Sequence, residues 1–213
     1  MCARYSLTKE EITILMGEIE VIIKIGARYN IAPTQRVPAI VHDGKAPRAT
    51  LMTWGWQRSQ GGLLVNAKSE TATQIFRPFI NQRCLIPADG FYEWTTDKTP
   101  IRFMYRHNEP FCFAGLWRSY QRQPADEILT EHHFVILTRV PVAPVNRFHD
   151  RMPLVIKPEF YERWLRGDGM VDTIIERPDD TPFDFMPVQR ELNNVRNEGP
   201  HLIRPGVMQG ELL

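Results

Sequence analysis

The residues of this chain that could do chemistry lie in five short polar segments, each set between apolar stretches. The segments are residues 1–5, 28–33, 66–71, 89–94 and 149–153. Between them they hold a thiol, amides, carboxylates, cationic side chains and an imidazole, which suit nucleophilic, acid–base or phosphate-binding chemistry. Strands that are packed only for stability do not need such groups. The five segments together therefore form the candidate functional site.

Cys2 is the candidate nucleophile, because removal of Met1 would leave one residue with both a free α-amine and a thiol. Ordinary pKa values of about 8 for the amine and about 8.5 for the thiol make both groups partly available at neutral pH. Both groups could then react with one aldehyde. The amine condenses to a Schiff base, and the thiolate closes onto the same carbon to give a five-membered thiazolidine. The alternative interpretation is a small residue that merely follows the start methionine.

Glu93 and His149 are the candidate acid–base groups. Glu93 lies between Tyr92 and Trp94, and apolar neighbours would raise the pKa of its carboxyl so that it could transfer protons. His149 lies in a loop before an apolar run, where its imidazole could act as a general acid. The alternatives are an exposed strand carboxylate and a structural histidine. Asp150 adjoins His149, but we expect it to point elsewhere in an extended loop, so we infer no Cys-His-Asp triad.

The combination of these segments, in this order and with cysteine at position 2, resembles the SRAP family, the SOS-response-associated peptidase domain. The resemblance runs from Cys2 to about Pro205 and includes an Asn-Val-Arg-Asn sequence at residues 194–197. Members of that family form covalent crosslinks to abasic sites in single-stranded DNA through an N-terminal cysteine. The resemblance therefore implies a DNA-damage-response protein that shields an abasic site by forming a thiazolidine with the ring-opened sugar aldehyde.

The resemblance also implies roles for the catalytic candidates. Cys2 would be the nucleophile, and Glu93 would be the general acid or base that helps to open the sugar ring and to form the Schiff base. His149 would face the reacting sugar and its phosphate. Asn30, which could otherwise be a turn former ahead of Pro33, would hold the Cys2 amine or the forming thiazolidine in place.

Contacts to DNA are expected from a second group of residues. The candidates are Arg4, Trp54, Asn66, Lys68, Thr138 and Arg151. The basic and polar members would bind phosphates, although Arg151 could instead pair with a carboxylate. Trp54 would stack on a base beside the lesion, and core packing is the alternative for both Trp54 and Trp56. Solvated surface charge is the alternative for Arg4 and Lys68.

Three positions depart from the usual pattern of the family. Ala3 stands where glycine is usual, which adds a methyl group beside the nucleophile. Lys68 stands where arginine is usual, and it replaces a bidentate fork with a point charge. The loop after Trp56 lacks the proline and second tryptophan common in relatives. Binding at a junction of single-stranded and double-stranded DNA is therefore less strongly indicated than the crosslink.

Composition and motifs exclude several other classes. The chain of 213 residues is 43% hydrophobic and 24% charged with a net charge of +1, so DNA binding requires a local basic patch. It contains no phosphate-binding loop, no dinucleotide fingerprint and no nucleophile elbow. Cys2, Cys84 and Cys112 are too scattered for a disulfide framework or a zinc site, and the latter two are expected to be buried strand residues. We expect no metal and no cofactor.

The location of the protein can also be inferred. No apolar run approaches the roughly 18 residues of a membrane span, and the N-terminus lacks the apolar core of a signal peptide. We therefore expect an intracellular protein, in the cytoplasm or nucleoid if it is bacterial. It would work as a monomer on single-stranded DNA that contains abasic sites, away from any membrane.

Two other functions remain open. The first is a thiol autopeptidase or protease, in which Cys2 attacks a peptide bond, and removal of Met1 would itself be such a reaction. The second is a noncovalent reader of modified or damaged DNA. Substituting serine for Cys2 separates the three, because only the crosslink depends on a stable thiazolidine.

Local patterns predict the elements that position the polar segments. A capping box that starts at Thr8, followed by apolar residues at helical spacing, predicts a helix over residues 9–19. An Asp-Gly turn within residues 42–45 predicts a hairpin with strands at 37–41 and 48–56.

The rest of the chain predicts more strands and two further helices. The helices are expected at 69–76, capped by Ser69, and at 158–165, followed by Gly167. The strands are expected at 84–86, 90–95, 101–106, 111–117 and 133–138. The sequence therefore predicts an α+β fold in a single domain over residues 1–213. A strongly curved, barrel-like antiparallel β-sheet is flanked by a few short helices, as the resemblance to the SRAP family also implies.

Overall fold

The described chain, residues 2–123, 129–167, 171–176 and 178–207, contains far more strand than helix in the computed structural model. The strands are β1 Tyr5–Leu7, β2 Glu11–Met16, β3 Ile19–Lys24, β4 Arg28–Ile31, β5 Arg36–His42, β6 Pro47–Trp54, β7 Trp56–Gln57, β8 Leu63–Leu64, β9 Asn66–Lys68, β10 Arg83–Ala88, β11 Gly90–Trp94, β12 Pro100–Met104, β13 Phe111–Arg122, β14 Leu129–Arg139, β15 Met152–Pro153, β16 Val155–Ile156 and β17 Asp184–Pro187. The α-helices are α1 Ser69–Ile75, α2 Tyr161–Arg166 and α3 Val171–Glu176. The predicted α+β class is confirmed.

Five strands close into a barrel. Strands β14, β6, β5, β10 and β13 are hydrogen-bonded in that order, and β13 pairs again with β14. Buried apolar side chains from these strands form the main core. The predicted curved, barrel-like antiparallel sheet is confirmed, with two parallel pairings in it, since β14 runs parallel to β6 and to β9. Both partners lie far from β14 along the chain, so no tight turn sets their relative direction.

A second sheet and the barrel together bring the five polar segments to one region. The second sheet has the strand order β17, β12, β11, β1 and β4. Within it β1 pairs with β11 on one side and with β4 on the other, so three of the segments are neighbours. The other two meet at β14, where Thr138 pairs with Lys68 in β9 and with Pro153 in β15.

The hairpin predicted around the Asp-Gly pair is confirmed as β5 and β6, which pair in antiparallel register. The Asp43 carboxylate accepts hydrogen bonds from the backbone N–H groups of Lys45 and Ala46. Gly44 adopts a φ of 93°, a conformation that favours glycine. Turn chemistry visible in the sequence therefore sets this register.

The helix predicted over residues 9–19 is wrong, because this segment contributes to the hairpin of β2 and β3. Along β2 buried apolar residues alternate with exposed residues, which is the two-residue period of a strand. Leu15, which helical spacing assigns to the core, is 58% exposed. Gly17, with a φ of 60°, lies in the turn between the two strands.

The other two predicted helices are confirmed with different ends. Helix α1 begins at Ser69, but Lys68 stands at the N-cap and makes no side-chain cap hydrogen bond, so Ser69 is not the cap. The helix predicted over residues 158–165 begins as a 3-10 turn at Pro158–Phe160 and continues as α2. It ends at Gly167 in the left-handed conformation. None of the helices in the described residues has the length and apolarity to cross a membrane.

The five strands predicted from residue 84 onward are confirmed as β10 to β14. Strands β13 and β14 are longer than predicted. Their outer ends, up to Arg122 and from Leu129, are mostly polar and exposed but still pair with each other. The apolar pattern of the sequence therefore predicts where these strands lie, whereas backbone pairing determines where β13 and β14 end.

Candidate active site

Cys2 is fully buried just before β1. Its Sγ lies 3.5 Å from the carbonyl oxygen of Arg4, and its own carbonyl oxygen accepts a 2.7 Å hydrogen bond from Nδ2 of Asn66. Burial raises the pKa of the Cys2 thiol well above its ordinary value, and the carboxyl of Glu93 raises this pKa further. The sulfur is therefore a thiol, not a thiolate, at neutral pH.

Glu93 is a buried carboxyl that acts electrostatically on this thiol. Residues 90–93 of β11 are all buried, so the alternation that would place the carboxylate in solvent does not occur. Its Oε1 has no hydrogen-bond partner among the described residues, and Oε2 lies 3.9 Å from Nε2 of His149. Burial raises the pKa of Glu93 to about 7, and the carboxylate of Asp150 adds to the rise. Glu93 can therefore both hold and release a proton near neutral pH.

His149 follows the 3-10 turn Val145–Arg147 and is partly exposed. Its Nδ1 accepts a 3.0 Å hydrogen bond from the backbone N–H of Arg151, and its Nε2 faces Glu93. Burial lowers the pKa of His149, and the Asp150 carboxylate opposes this effect. Oδ1 of Asp150 lies 2.9 Å from Nδ1. The expectation that Asp150 points away is wrong, because the chain bends there and returns its carboxylate to the ring.

Arg4 and Asn30 hold a C-terminal segment against the site. Oδ1 of Asn30 accepts a 2.6 Å hydrogen bond from Nη1 of Arg4, and Nδ2 donates to three backbone carbonyl oxygens between Leu192 and Asn197 at 3.0 to 3.2 Å. Arg4 donates to two carbonyl oxygens of the same segment. These partners, rather than Cys2 or solvent, occupy the two side chains. Their described contacts are those of a structural brace.

Asn66 is the amide beside the nucleophile, a position expected for Asn30. Its Nδ2 binds the Cys2 carbonyl, while its buried Oδ1 has no partner among the described residues. Strand β9 runs parallel to β14 with Asn66 opposite Ile136. The sequence offers two asparagines in polar segments, and only this long-range pairing shows which of them reaches Cys2. Asn66 therefore contacts the nucleophilic residue, and its contact with a phosphate stays a prediction.

Arg151 braces the loop that carries His149. It forms a bidentate ion pair with Glu70 of α1, at 2.6 and 2.8 Å, and it donates to the backbone carbonyl of Thr138. Hydrogen bonding from Arg151 lowers the pKa of Glu70 to about 2. Thr138 is 1% exposed, and its hydroxyl donates to the carbonyl oxygen of Ala67. Arg151 therefore pairs with a carboxylate, which was the alternative expected for it. The hydroxyl of Thr138 is buried and is not exposed to a phosphate.

Lys68 and Trp54, two further DNA contacts expected from the sequence, differ sharply in exposure. Lys68 is exposed at the end of β9. Trp54 is fully buried, its ring lies parallel to that of Phe134 with centroids 6.3 Å apart, and its Nε1 donates to the carbonyl oxygen of Val65 at 2.9 Å. A ring enclosed in the core offers no face to a base, so the stacking expected of Trp54 is wrong. Core packing is its role.

The two other cysteines belong to the apolar core. Cys84 in β10 and Cys112 in β13 are fully buried and reduced, as predicted for strand residues. Among the residues that the structure describes, no three His, Cys, Asp or Glu side chains converge as ligands for a metal ion.

The fold and the site together define a class: a β-barrel protein with a thiol close to its N-terminus enclosed beside a carboxyl and an imidazole. Residues 1–195 match the family model of SOS response associated peptidase (SRAP). The chain therefore belongs to the SRAP family, as its resemblance predicted.

Known relatives match nearly the whole chain. The chain is 28% identical to the abasic site processing protein YoqW of Bacillus subtilis, over 95% of this chain and 99% of that protein. It is 31% identical to the abasic site processing protein YedK of Escherichia coli, over 96% of this chain and 100% of that protein. A solved structure of a phage-related protein from Bordetella bronchiseptica is 28% identical and has a TM-score of 0.71, over 88% of this chain and 94% of that chain.

Proposed function

We propose that this protein acts in the DNA-damage response by bonding covalently, through Cys2, to abasic sites in single-stranded DNA. The names of YoqW and YedK as abasic site processing proteins support the choice of lesion. The observation that carries the proposal is the buried carboxyl of Glu93, whose pKa of about 7 suits it to move protons beside a cysteine and an imidazole. The bound protein would shield the lesion from cleavage.

The reaction joins both nucleophiles of a processed Cys2 to one carbon of the sugar. Once Met1 has been removed, the amine attacks the C1′ aldehyde of the ring-opened deoxyribose, and the resulting carbinolamine loses water to form a Schiff base. The sulfur then adds to the same carbon while the thiol proton passes to a base and the former imine nitrogen gains a proton. The net reaction is aldehyde plus aminothiol to thiazolidine plus water, with no oxidant or metal required.

Glu93 is the group that we assign to these proton transfers. As an acid it would donate to the departing hydroxyl of the carbinolamine, and as a carboxylate it would accept the proton of the Cys2 thiol. The second step matters because burial raises the pKa of that thiol, so the sulfur needs a base at the moment of attack. A pKa near 7 allows one carboxyl to serve both steps.

Asn66 and His149 would orient the reacting groups. Asn66 fixes the Cys2 carbonyl, and its unpartnered Oδ1 is available to accept an N–H of the processed amine. His149 would donate from Nε2 to an oxygen of the sugar or its phosphate. Lys68 remains the exposed cation for a phosphate, whereas Arg4 and Asn30 would act by bracing residues 192–197 behind the site.

A general thiol protease is disfavoured at this site. Such enzymes use a thiolate whose pKa is lowered by a neighbouring imidazolium. Here burial raises the pKa of the Cys2 thiol, and the strongest influence of a charged group on this pKa is that of the Glu93 carboxyl, which raises it further. Peptidase chemistry would therefore be limited to removal of Met1 from the same chain. We expect the protein to act inside the cell, as a monomer, with binding at a strand junction as a secondary preference.

Intact-protein mass spectrometry tests the proposal. The protein is measured before and after incubation with a single-stranded oligonucleotide that carries one abasic site. We expect loss of Met1, then an adduct equal to protein plus DNA minus one water that survives denaturation. Cys2→Ser should abolish it, while Cys84→Ser, at another fully buried cysteine, should retain it.

Two outcomes of this experiment count against the proposal. A processed wild-type chain that gives no adduct would overturn the crosslink and leave noncovalent DNA binding as the function. An adduct that forms equally well on an oligonucleotide with a tetrahydrofuran residue, which has no aldehyde, would contradict the thiazolidine chemistry.

A further inference from the structure

A groove lined by rings and cations leads away from the candidate site. Two cavities of about 390 Å³ and about 680 Å³ form it. They share four lining residues, Arg58, Leu64, Ile75 and Phe76. The smaller cavity also includes Asn66, which binds Cys2, and Lys68. The groove therefore extends from Asn66, the residue that binds the Cys2 carbonyl, to the far end of the larger cavity.

An arginine lies over three aromatic rings at the far end of the groove. The guanidinium carbon of Arg118 lies 4.3 Å from the ring centroid of Tyr120, 4.9 Å from that of Trp56 and 5.7 Å from that of Phe79. Its Nη2 donates to the carbonyl oxygen of Gln57 at 2.6 Å. Trp56 is buried beneath, whereas Tyr120 and Phe79 are partly exposed. These contacts order the planar guanidinium and the partly exposed rings in the absence of a ligand.

The charge of the groove has one sign. Arg58, Lys68 and Arg118 line it, and no aspartate or glutamate is among the described residues that do. The whole chain carries a net charge of only +1, so this grouping is local. A neighbouring cavity, by contrast, carries both signs of charge, because Glu70, Glu176 and Arg139 line it. Cations beside partly exposed rings suit a ligand that alternates phosphates with flat bases.

We propose that this groove binds a flanking nucleotide of the same DNA strand. Its base stacks on the platform formed by Arg118, Tyr120 and Phe79, and its backbone phosphates lie against Arg58 and Lys68. The inference rests on the proposed function, because it takes as ligand the strand whose lesion reaches Cys2. The platform supplies a stacking site in place of Trp54, which is enclosed in the core.

The test uses unreactive DNA, so that binding is measured apart from chemistry. Single-stranded oligonucleotides carry a central tetrahydrofuran residue, and a second one replaces each flanking nucleotide in turn, which removes one base and keeps the phosphates. Fluorescence anisotropy should reveal one flanking position where loss of the base weakens binding by about tenfold. Tyr120→Leu and Arg118→Gln should each remove this position dependence.

Arg122→Gln is the matched control. Arg122 lies on the same strand as Arg118, is 71% exposed and loses the same charge on substitution. It should keep the full position dependence, and circular dichroism should show that all three variants are folded. If no flanking base matters in the wild type, or if the same base matters equally in Tyr120→Leu and Arg118→Gln, the inference is overturned. Either result would be expected if the groove binds a protein segment instead of DNA.

The adduct assay separates this inference from the proposed function. If the wild type forms no adduct with reactive abasic DNA but shows a position dependence that Arg118→Gln removes, the crosslink is refuted and the groove inference is supported. If the adduct forms but no flanking base affects binding, only the groove inference is refuted.

Discussion

Replacing Glu93 by glutamine should stabilise the protein above neutral pH. In the folded chain burial raises the pKa of this carboxyl to about 7, whereas in the unfolded chain it returns to its ordinary value of about 4.3. The folded state therefore binds the proton more tightly. The resulting contribution to stability is fully present below the unfolded value and is lost as the pH rises through the folded one, so the free energy of unfolding falls with rising pH.

The size of the effect follows from the two pKa values. A tenfold difference in proton affinity is worth about 1.4 kcal/mol, so the whole difference corresponds to roughly 3 to 4 kcal/mol. Roughly 2 to 3 kcal/mol of it falls between pH 5 and pH 8. Glutamine keeps the shape of the side chain but cannot ionise. Relative to wild type, the unfolding free energy of Glu93→Gln should therefore increase by roughly 2 to 3 kcal/mol over that interval.

Urea titrations followed by tryptophan fluorescence at several pH values measure this difference directly. Glu20→Gln, at an exposed position of β3, is the control for removal of a carboxyl from the surface. If the unfolding free energies of wild type and Glu93→Gln change with pH in parallel, Glu93 ionises as an ordinary carboxyl and its acid–base role is refuted. The same variant should slow adduct formation while DNA affinity stays near wild type, so stability rises as activity falls.

Three more substitutions test other parts of the site. Lys68→Ala should weaken binding to all single-stranded sequences and lower the slope of log affinity against log salt by about one, so an unchanged slope would remove Lys68 from the DNA site. Asn66→Ala should release the Cys2 carbonyl and slow adduct formation by up to about a hundredfold in a quenched time course, whereas a wild-type rate would deny it a positioning role. Glu70→Gln should free Arg151 and slow the adduct less, with a shift of the site imidazole resonance in NMR spectra. An unmoved resonance would mean that the ion pair does not position this loop.

Local chemistry in the sequence was sufficient for those elements whose geometry is set by near neighbours. The hairpin of β5 and β6 follows from an Asp-Gly turn whose carboxylate binds backbone groups two and three residues ahead. The segment at residues 9–19 shows the limit of this reasoning. Its apolar residues fit both a 3.6-residue and a two-residue period, and the alternating set Ile12, Ile14 and Met16 is buried in the main core. Only the tertiary partner distinguishes the two.

The site shows the same division between local and long-range information. Cys2, Glu93 and His149 could be singled out because their chemistry and order are distinctive. The choice between Asn30 and Asn66 could not, since it depends on β9 pairing parallel to β14, and no local signal reports that register. The burial of Trp54 was equally inaccessible, because alternation alone does not say which face of a barrel strand is enclosed.

Two buried oxygens beside Cys2 explain what the site requires of a ligand. Oδ1 of Asn66 and Oε1 of Glu93 have no partner among the described residues, and such an acceptor costs about 1 to 3 kcal/mol. The other buried side-chain atoms without partners in the described chain are nitrogens and hydroxyls that can donate. Satisfying these two oxygens takes N–H or O–H donors. The processed amine is such a donor, and it is present before the reaction. The proton that the Glu93 carboxylate takes from the Cys2 thiol reaches it only in the reacting state, and stabilisation gained only there accelerates a reaction more than it tightens binding.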